Sequence, residues 1–239
     1  MTPTDLHVVT APQLDPRLGR QVVHDPRSRG FALAPKVDPA TWRTRTVRIY
    51  DPKPNPNQTH GNCTGCSKAI QFNSVGNRKA GRVLDMSDAD TIYALATTLD
   101  PWPGSWNVDG TGEDTGSSGL AAAQAAQKLG LGGEYRWLFG GADEAVQAIV
   151  GGAAVSVGTW WYEGGFDPKP EPGGGVRIEM TGRKVGGHQW TLHRYDKRRD
   201  LVGGLCWWGD MSDFWIRRSH LADLLADDGD AHIQQAIVS

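Results

Sequence analysis

The sequence predicts an α+β fold, with helices first and an antiparallel sheet after them. Three observations carry that expectation. From about residue 58 to 150 the apolar residues recur at helical spacing between recognisable caps. From Ala153 onward they gather into short β-branched and aromatic runs separated by turns. A chain of 239 residues with no proline- or serine-rich linker and no internal repeat is enough for one substantial core.

Residues 1 to about 45 carry proline at intervals and no sustained periodicity, so they read as an extended N-terminal arm on a single domain of residues 46–239. "RTVRIY", Arg45 to Tyr50, is the best early strand. "DPKPNPNQTHGN" is a run of turn formers that leads into a helix beginning at Cys63, "CTGCSKAIQF". A second helix is expected from Ser87, where "SDAD" places acids in the first turn. Ser117 or Ser118 caps the third, "GLAAAQAAQKLG", and Gly130 closes it. A fourth, "ADEAVQAIV", ends at Gly151 and Gly152. Strands are expected in "AAVSVGTWWY", "GGVRIEM", "GGHQWTLHRYD", "LVGGLCWWG" and "DFWIRR". A last helix from Ser219, "HLADLLADDG", is expected to end the ordered core.

Composition narrows the function. A net charge of −2 gives no electrostatic reason to expect nucleic acid or an anionic membrane as partner. No stretch approaches the ~20 apolar residues of a membrane helix, and the N-terminus lacks a secretory pattern. A soluble chain made in the cytoplasm is expected. Its 3 cysteines are too few for a disulfide framework and fit a reducing compartment. Many of its 10 tryptophans fall in glycine-rich loops, where they line a cleft or pack a core.

The chemistry concentrates in "NQTHGNCTGCSKA", Asn57 to Ala69. Its C-x-x-C spacing admits half a zinc site, a redox pair, or a nucleophile beside a bystander. Cys63 at a helix N-terminus favours a thiolate, because free N–H groups and the helix dipole point at it. Gly61 lets a substrate backbone approach, and Gln58 offers an amide to an oxyanion. A nucleophile needs a base from elsewhere in the fold. His188, which follows two glycines and heads a strand, is the candidate. Of Trp160 and Trp161, adjacency puts one in the sheet core and the other toward solvent or substrate. His193 is expected on the opposite face from His188. The remaining histidines read as structural or solvated, although His60 sits in the site loop. A Cys3His zinc set of Cys63, Cys66, His188 and Cys206 stays open as a rival. No strand-helix-strand unit surrounds "CTGC", which argues against a redox pair. The glycine-rich stretches lack phosphate-binding spacing, and the acidic loops lack calcium-binding spacing. No cofactor and no metal enter the main reading.

These residues resemble a family. "LGRQVVHDPRSRGF", "NQTHGNCTG", "DTGSSGLAAAQAAQKLGL", "AAVSVGTWWYEGG", and "GGHQWTLHRYD" followed by "GLCWWGD" are similar, in order, to a bacterial and actinobacteriophage branch of the papain-like cysteine peptidases. The resemblance covers roughly residues 18 to 230. It implies a papain-like fold, with a helical left half at about 58–150 and an antiparallel, barrel-like sheet half at about 151–239. It further implies a peptide or protein substrate and a bacterial cytoplasmic or phage origin. Carried over, Gln58 is the oxyanion glutamine, Cys63 the nucleophile, His188 the base, and Trp208 a shield over that base. A register that makes Cys66 the nucleophile loses the C-T-G match. The family's third residue is an asparagine that orients the histidine, and Cys206 stands in its place. Cysteine is a weak acceptor. Either Asp196 or Gln189 substitutes, or the chain is a pseudoenzyme that keeps a peptide-binding cleft. Residues 1–45 are expected as an arm packed on the domain, with an inhibitory propeptide as the alternative.

Overall fold

A computed structural model describes residues 15–21, 27–28, 38–54, 56–77 and 82–236. His7 and His24 lie outside the described residues. Helix α1 spans Cys63–Phe72, and all ten of its residues are buried. One side packs Cys66, Ala69, Ile70 and Phe72 against Leu84 and Ala89. The other side is polar. Ser67 Oγ lies 2.8 Å from Ser156 Oγ and donates to Trp190 O at 2.9 Å, while Gln71 Nε2 donates to Ala154 O and His232 O. Buried polar groups require partners. Meeting that requirement on the sheet fixes both the rotation and the axial position of α1. Its first residue, Cys63, is thereby registered against the strands.

Helix α2, Met86–Thr97, starts one residue before the expected Ser87 because Asp85 caps it in a reciprocal box with Asp88. Helix α3, Gly119–Lys128, is capped by Ser118, whose side chain accepts from Ala121 N. The two meet through Ile92, Ala96, Ala121, Ala122 and Ala125, small residues that allow close approach. Helix α4, Gly141–Val150, and helix α5, Arg218–Ala226, instead pack Ala145, Val146, Ile149, Leu221 and Leu224 into the sheet-side core with Val155, Trp190 and Phe214.

The strands are β1 Arg45–Thr46, β2 Gly132–Trp137, β3 Val155–Tyr162, β4 Lys169–Pro170, β5 Val176–Arg177, β6 Lys184–Asp196, β7 Leu201–Leu205, β8 Asp213–Arg217 and β9 Asp230–Ala236. They form one sheet in the order β2-β9-β3-β6-β7-β8-β5-β4, with β1 also on β6. Every pairing is antiparallel except β5 with β8. The expected α+β segregation is present.

Three strands were not expected: β2, β9 and the two-residue β4, which pairs only with β5. The last helix does not end the ordered core, since β9 follows it and pairs with both β2 and β3. "DAHIQQA" carries no β-branched alternation because its inward positions are polar: Gln234 Nε2 donates to Ala123 O at 3.0 Å, and His232 stacks on Trp137. Strand β2 likewise follows Gly130 without a β-branched run. Within "GGVRIEM" only Val176 and Arg177 pair, and "RTVRIY" contributes only Arg45 and Thr46.

Candidate active site

The N-terminus of α1 faces strand β6 across a groove, and residues 15–21 of the arm lie in that groove. On one side Gln21 N donates to Ser117 O at 2.9 Å and Ser117 N to Gly19 O at 2.8 Å. On the other, Arg20 N donates to Gly187 O at 3.1 Å. The arm is therefore bonded along its backbone to both walls. Gly19 lies so close to Gly61 that a Cβ on it would overlap the Gly61 carbonyl. Gly61 is pinned in turn by its N–H bond to Asp114 at 2.7 Å.

Gln58 is buried and fully engaged. Its Nε2 donates to Arg17 O at 2.9 Å and His60 O at 2.8 Å, and its Oε1 accepts from Trp208 Nε1 at 3.1 Å. A carbonyl of the arm thus occupies the Gln58 amide. The Cys63 thiol is fully buried, and the backbone N–H groups of Gln189 and Gly19 favour its ionised form. Burial outweighs them and pushes the thiol up to about 11. Cys66 points away, with Sγ 3.4 Å from Asn62 Oδ1 within the apolar cluster of α1 and α2. Burial pushes its thiol well up as well.

His188 pairs across to Thr159 of β3, and the next residue along β6 is the Gln189 whose N–H meets Cys63. The ring is fully buried, edge-on to Trp161 at 5.0 Å and tilted on Trp208 at 4.4 Å between centroids. Neither ring nitrogen has a hydrogen-bond partner among the described residues. Desolvation is the main reason its pKa falls to about 3; the Arg17 charge adds to the fall and Asp15 opposes it. Arg17 itself lies 4.4 Å over the Trp208 ring. Neither Gln189 nor Asp196, expected as possible orienting groups, bonds the ring: Gln189 Nε2 donates to Ser156 Oγ while its Oε1 has no partner among the described residues, and Asp196 accepts from Arg199. Cys206 lies in the sheet-side apolar core, its N–H bonded to Ser212 O at 2.8 Å, and burial pushes its thiol up. His188 is held by aromatic packing.

Compared with solved structures, the chain superimposes on xylellain, a cysteine protease from Xylella fastidiosa, with a TM-score of 0.67 at 13% identity, covering 93% of this chain and 98% of that one. It also superimposes on a procathepsin B from Trypanosoma congolense with a TM-score of 0.58 at 11% identity, covering 93% and 87%. The chain has the papain-like fold. No family model and no curated protein matches the sequence.

Within that fold the remaining expectations sort plainly. Trp161 is a core residue, fully buried beneath His188, and so does not line the groove for a substrate; Trp160 is half-buried with Lys184 Nζ 4.7 Å over its ring. His60 stacks on Trp106 at 4.7 Å. His193 is tied to Val47 O and Asp213 near the far end of β6. Among the described residues no cluster of three His, Cys, Asp or Glu is placed to hold a metal, so Cys63, Cys66, His188 and Cys206 do not form the rival Cys3His centre. No helix among them is long and apolar enough to cross a membrane. Sequence reasoning missed Arg20, which enters the groove, and Asp230, which receives it. Arg20 falls in the resembling stretch "LGRQVVHDPRSRGF" without an assigned role there, and Asp230 lies on the unexpected β9.

Proposed function

We propose that the chain is a cysteine peptidase or amide hydrolase held latent by its own N-terminal arm. The observation that carries this reading is the position of the arm: the Arg17 carbonyl on the Gln58 amide, the Gly19 N–H at the Cys63 thiol, and the Arg20 N–H on the Gly187 carbonyl. The first and third are main-chain bonds that a bound peptide would also make, and the second covers the thiol. With the arm displaced, His188 takes the Cys63 proton and the thiolate adds to the substrate carbonyl carbon. Gln58 Nε2 donates to the resulting oxyanion. The C–N bond then breaks, His188 passes its proton to the leaving amine, and water hydrolyses the thioester. Trp208 shields the base. The bacteriophage branch rests on the sequence resemblance alone.

A second reading, a papain-like pseudoenzyme, is favoured by one observation: His188 has no acceptor for its second nitrogen, and Cys206 does not supply one. Removal of residues 1–21 separates the two. For a latent enzyme, iodoacetamide labels Cys63 at least ~10-fold faster in the shortened chain than in the full one, peptide amides are hydrolysed, and Cys63→Ala abolishes turnover. Labelling no faster than that of an ordinary free thiol, without turnover, establishes the pseudoenzyme.

A further inference from the structure

Residues 59–62, between Gln58 and Cys63, belong to no helix or strand, and two carboxylates hold them. Asn62 Nδ2 donates to Asp90 Oδ1 at 2.5 Å. Gly61 N–H donates to Asp114 Oδ2 at 2.7 Å, and Tyr93 OH donates to the other oxygen of the same carboxylate. Tyr93 OH in turn accepts from Gly116 N at 3.0 Å. Asp90 and Tyr93 stand three positions apart on α2, and so on one helix face. Burial, with the Asp114 charge added, raises Tyr93 above the ordinary phenol range, which keeps it a neutral donor.

Asp114 thus joins three pieces: the loop before Cys63, helix α2, and the segment 114–117 that pairs with the arm. In that segment Ser117 exchanges backbone bonds with Gly19 and Gln21, and Thr115 O accepts from Gln21 Nε2. The fit is close on both sides of Gly61. A Cβ on Gly61 would overlap the Asp114 carboxylate, and a Cβ on Gly19 would overlap the Gly61 carbonyl. The Gly61 peptide is therefore set by Asp114 on its N–H side and meets the incoming chain on its carbonyl side.

What Asp114 supplies there is position. Burial is the main reason the Cys63 thiol is raised to about 11, and the Asp114 charge adds to the rise. As a charge alone it opposes a thiolate, so its use to the site lies in the bonds it makes.

We infer that Asp114 is a positioning residue, which through the Gly61 peptide sets residues 58–63 against the segment that receives an incoming chain. That the loop serves a reaction rests on the peptidase reading above; that Asp114 sets it rests on the hydrogen bonds alone. A displacement of ~1 Å can cost ~100-fold in rate. The backbone bonds of Ser117 to an incoming chain do not pass through Gly61, so the loss falls on kcat.

The test uses the full chain. Asp114 is exposed, so its variants remove little packing. Backbone amide exchange at Gly61, followed by NMR, reads the clamp without reference to activity. In Asp114→Ala it is expected to quicken at least ~10-fold. In Asp114→Asn, which keeps an acceptor oxygen, it is expected to stay within ~3-fold of the parent. Unchanged exchange in Asp114→Ala overturns the inference.

Turnover is read in the full chain carrying Gly19→Ala, whose Cβ would overlap the Gly61 carbonyl and so drives the arm out. There Asp114→Ala is expected to lower kcat at least ~10-fold with KM within ~3-fold, and Asp114→Asn to recover most of the loss. An unchanged kcat, a loss confined to KM, or a loss that asparagine does not recover overturns the inference. Should Asp114→Ala not fold, Tyr93→Phe takes its place, since it frees the carboxylate from α2; faster exchange at Gly61 and a lower kcat are again expected, and neither overturns the inference if both are absent only when Asp114→Asn also lowers kcat. Peptides left intact by the Gly19→Ala parent fail the peptidase reading, and amide exchange then decides the clamp by itself.

Discussion

The two walls of the groove hold their functional groups by different physics. On the α1 side Gln58 makes three hydrogen bonds at 2.8 to 3.1 Å, and Cys63 is met by two backbone N–H groups. On the β6 side His188 makes none and is gripped by Trp161 and Trp208. Hydrogen bonds fix direction as well as position, whereas aromatic contacts fix position and exclude water. The Gln58 and Cys63 wall is therefore fixed in direction as well as position. His188 is placed and dried, and its proton state is left to burial.

That contrast can be broken from the base side first. Trp161→Ala removes a fully buried ring that touches His188, Trp190, Trp208 and Phe214, and is expected to cost about 3–5 kcal/mol in urea unfolding. If packing alone dries His188, NMR titration of the same variant shows its pKa moving from about 3 toward the ordinary histidine value. A pKa left at about 3 would mean that another group, and not this packing, controls the base.

Gln58→Ala probes the other wall. In the arm-free chain it is expected to lower kcat by ~10²- to 10³-fold with little change in KM, the signature of a lost oxyanion donor. An effect confined to KM would make Gln58 a substrate-binding group instead.

A pH effect is also expected, and its sign follows from the histidine. Buried His188 binds its proton only near pH 3, while a hydrated imidazole binds one near its ordinary value of 6.5. States that hydrate the ring therefore gain as pH falls from 6.5 toward 3, by up to ~1.4 kcal/mol per pH unit. The closed form keeps its full stability above pH 6.5 and loses it progressively below. Cys63 opposes the closed form only at alkaline pH, since its buried thiol ionises near 11. Limited proteolysis of the arm should accelerate between pH 6 and 4; a rate independent of pH would show that arm release leaves His188 as dry as before.

How much of this was legible differs from residue to residue. Cys63 at the first turn of α1 could be read from a turn-rich lead-in followed by helical spacing, and the helix starts there. A serine cap at Ser117 or Ser118 was readable because capping is a local event, and Ser118 is the one that caps α3. β9 was not, because a strand whose inward residues are histidine and glutamine, each satisfied or packed by distant partners, carries no alternation to detect. Trp160 and Trp161 were readable as a pair with opposite faces; which of them enters the core depended on the register of β3 against β6.

By itself the sequence determined the α+β division, the serine cap of α3, and residue types of the kind a nucleophile, a base and an oxyanion donor need. These depend on neighbours a few positions away, where spacing maps directly onto a helix turn or a strand face. Only the tertiary structure decided that Arg17, Gly19 and Arg20 fill the groove, that His188 is dried by two tryptophans, and that Arg20 meets Asp230 210 positions along the chain. Such contacts leave no local periodicity, because each is the product of a whole sheet's register and of an arm laid across it.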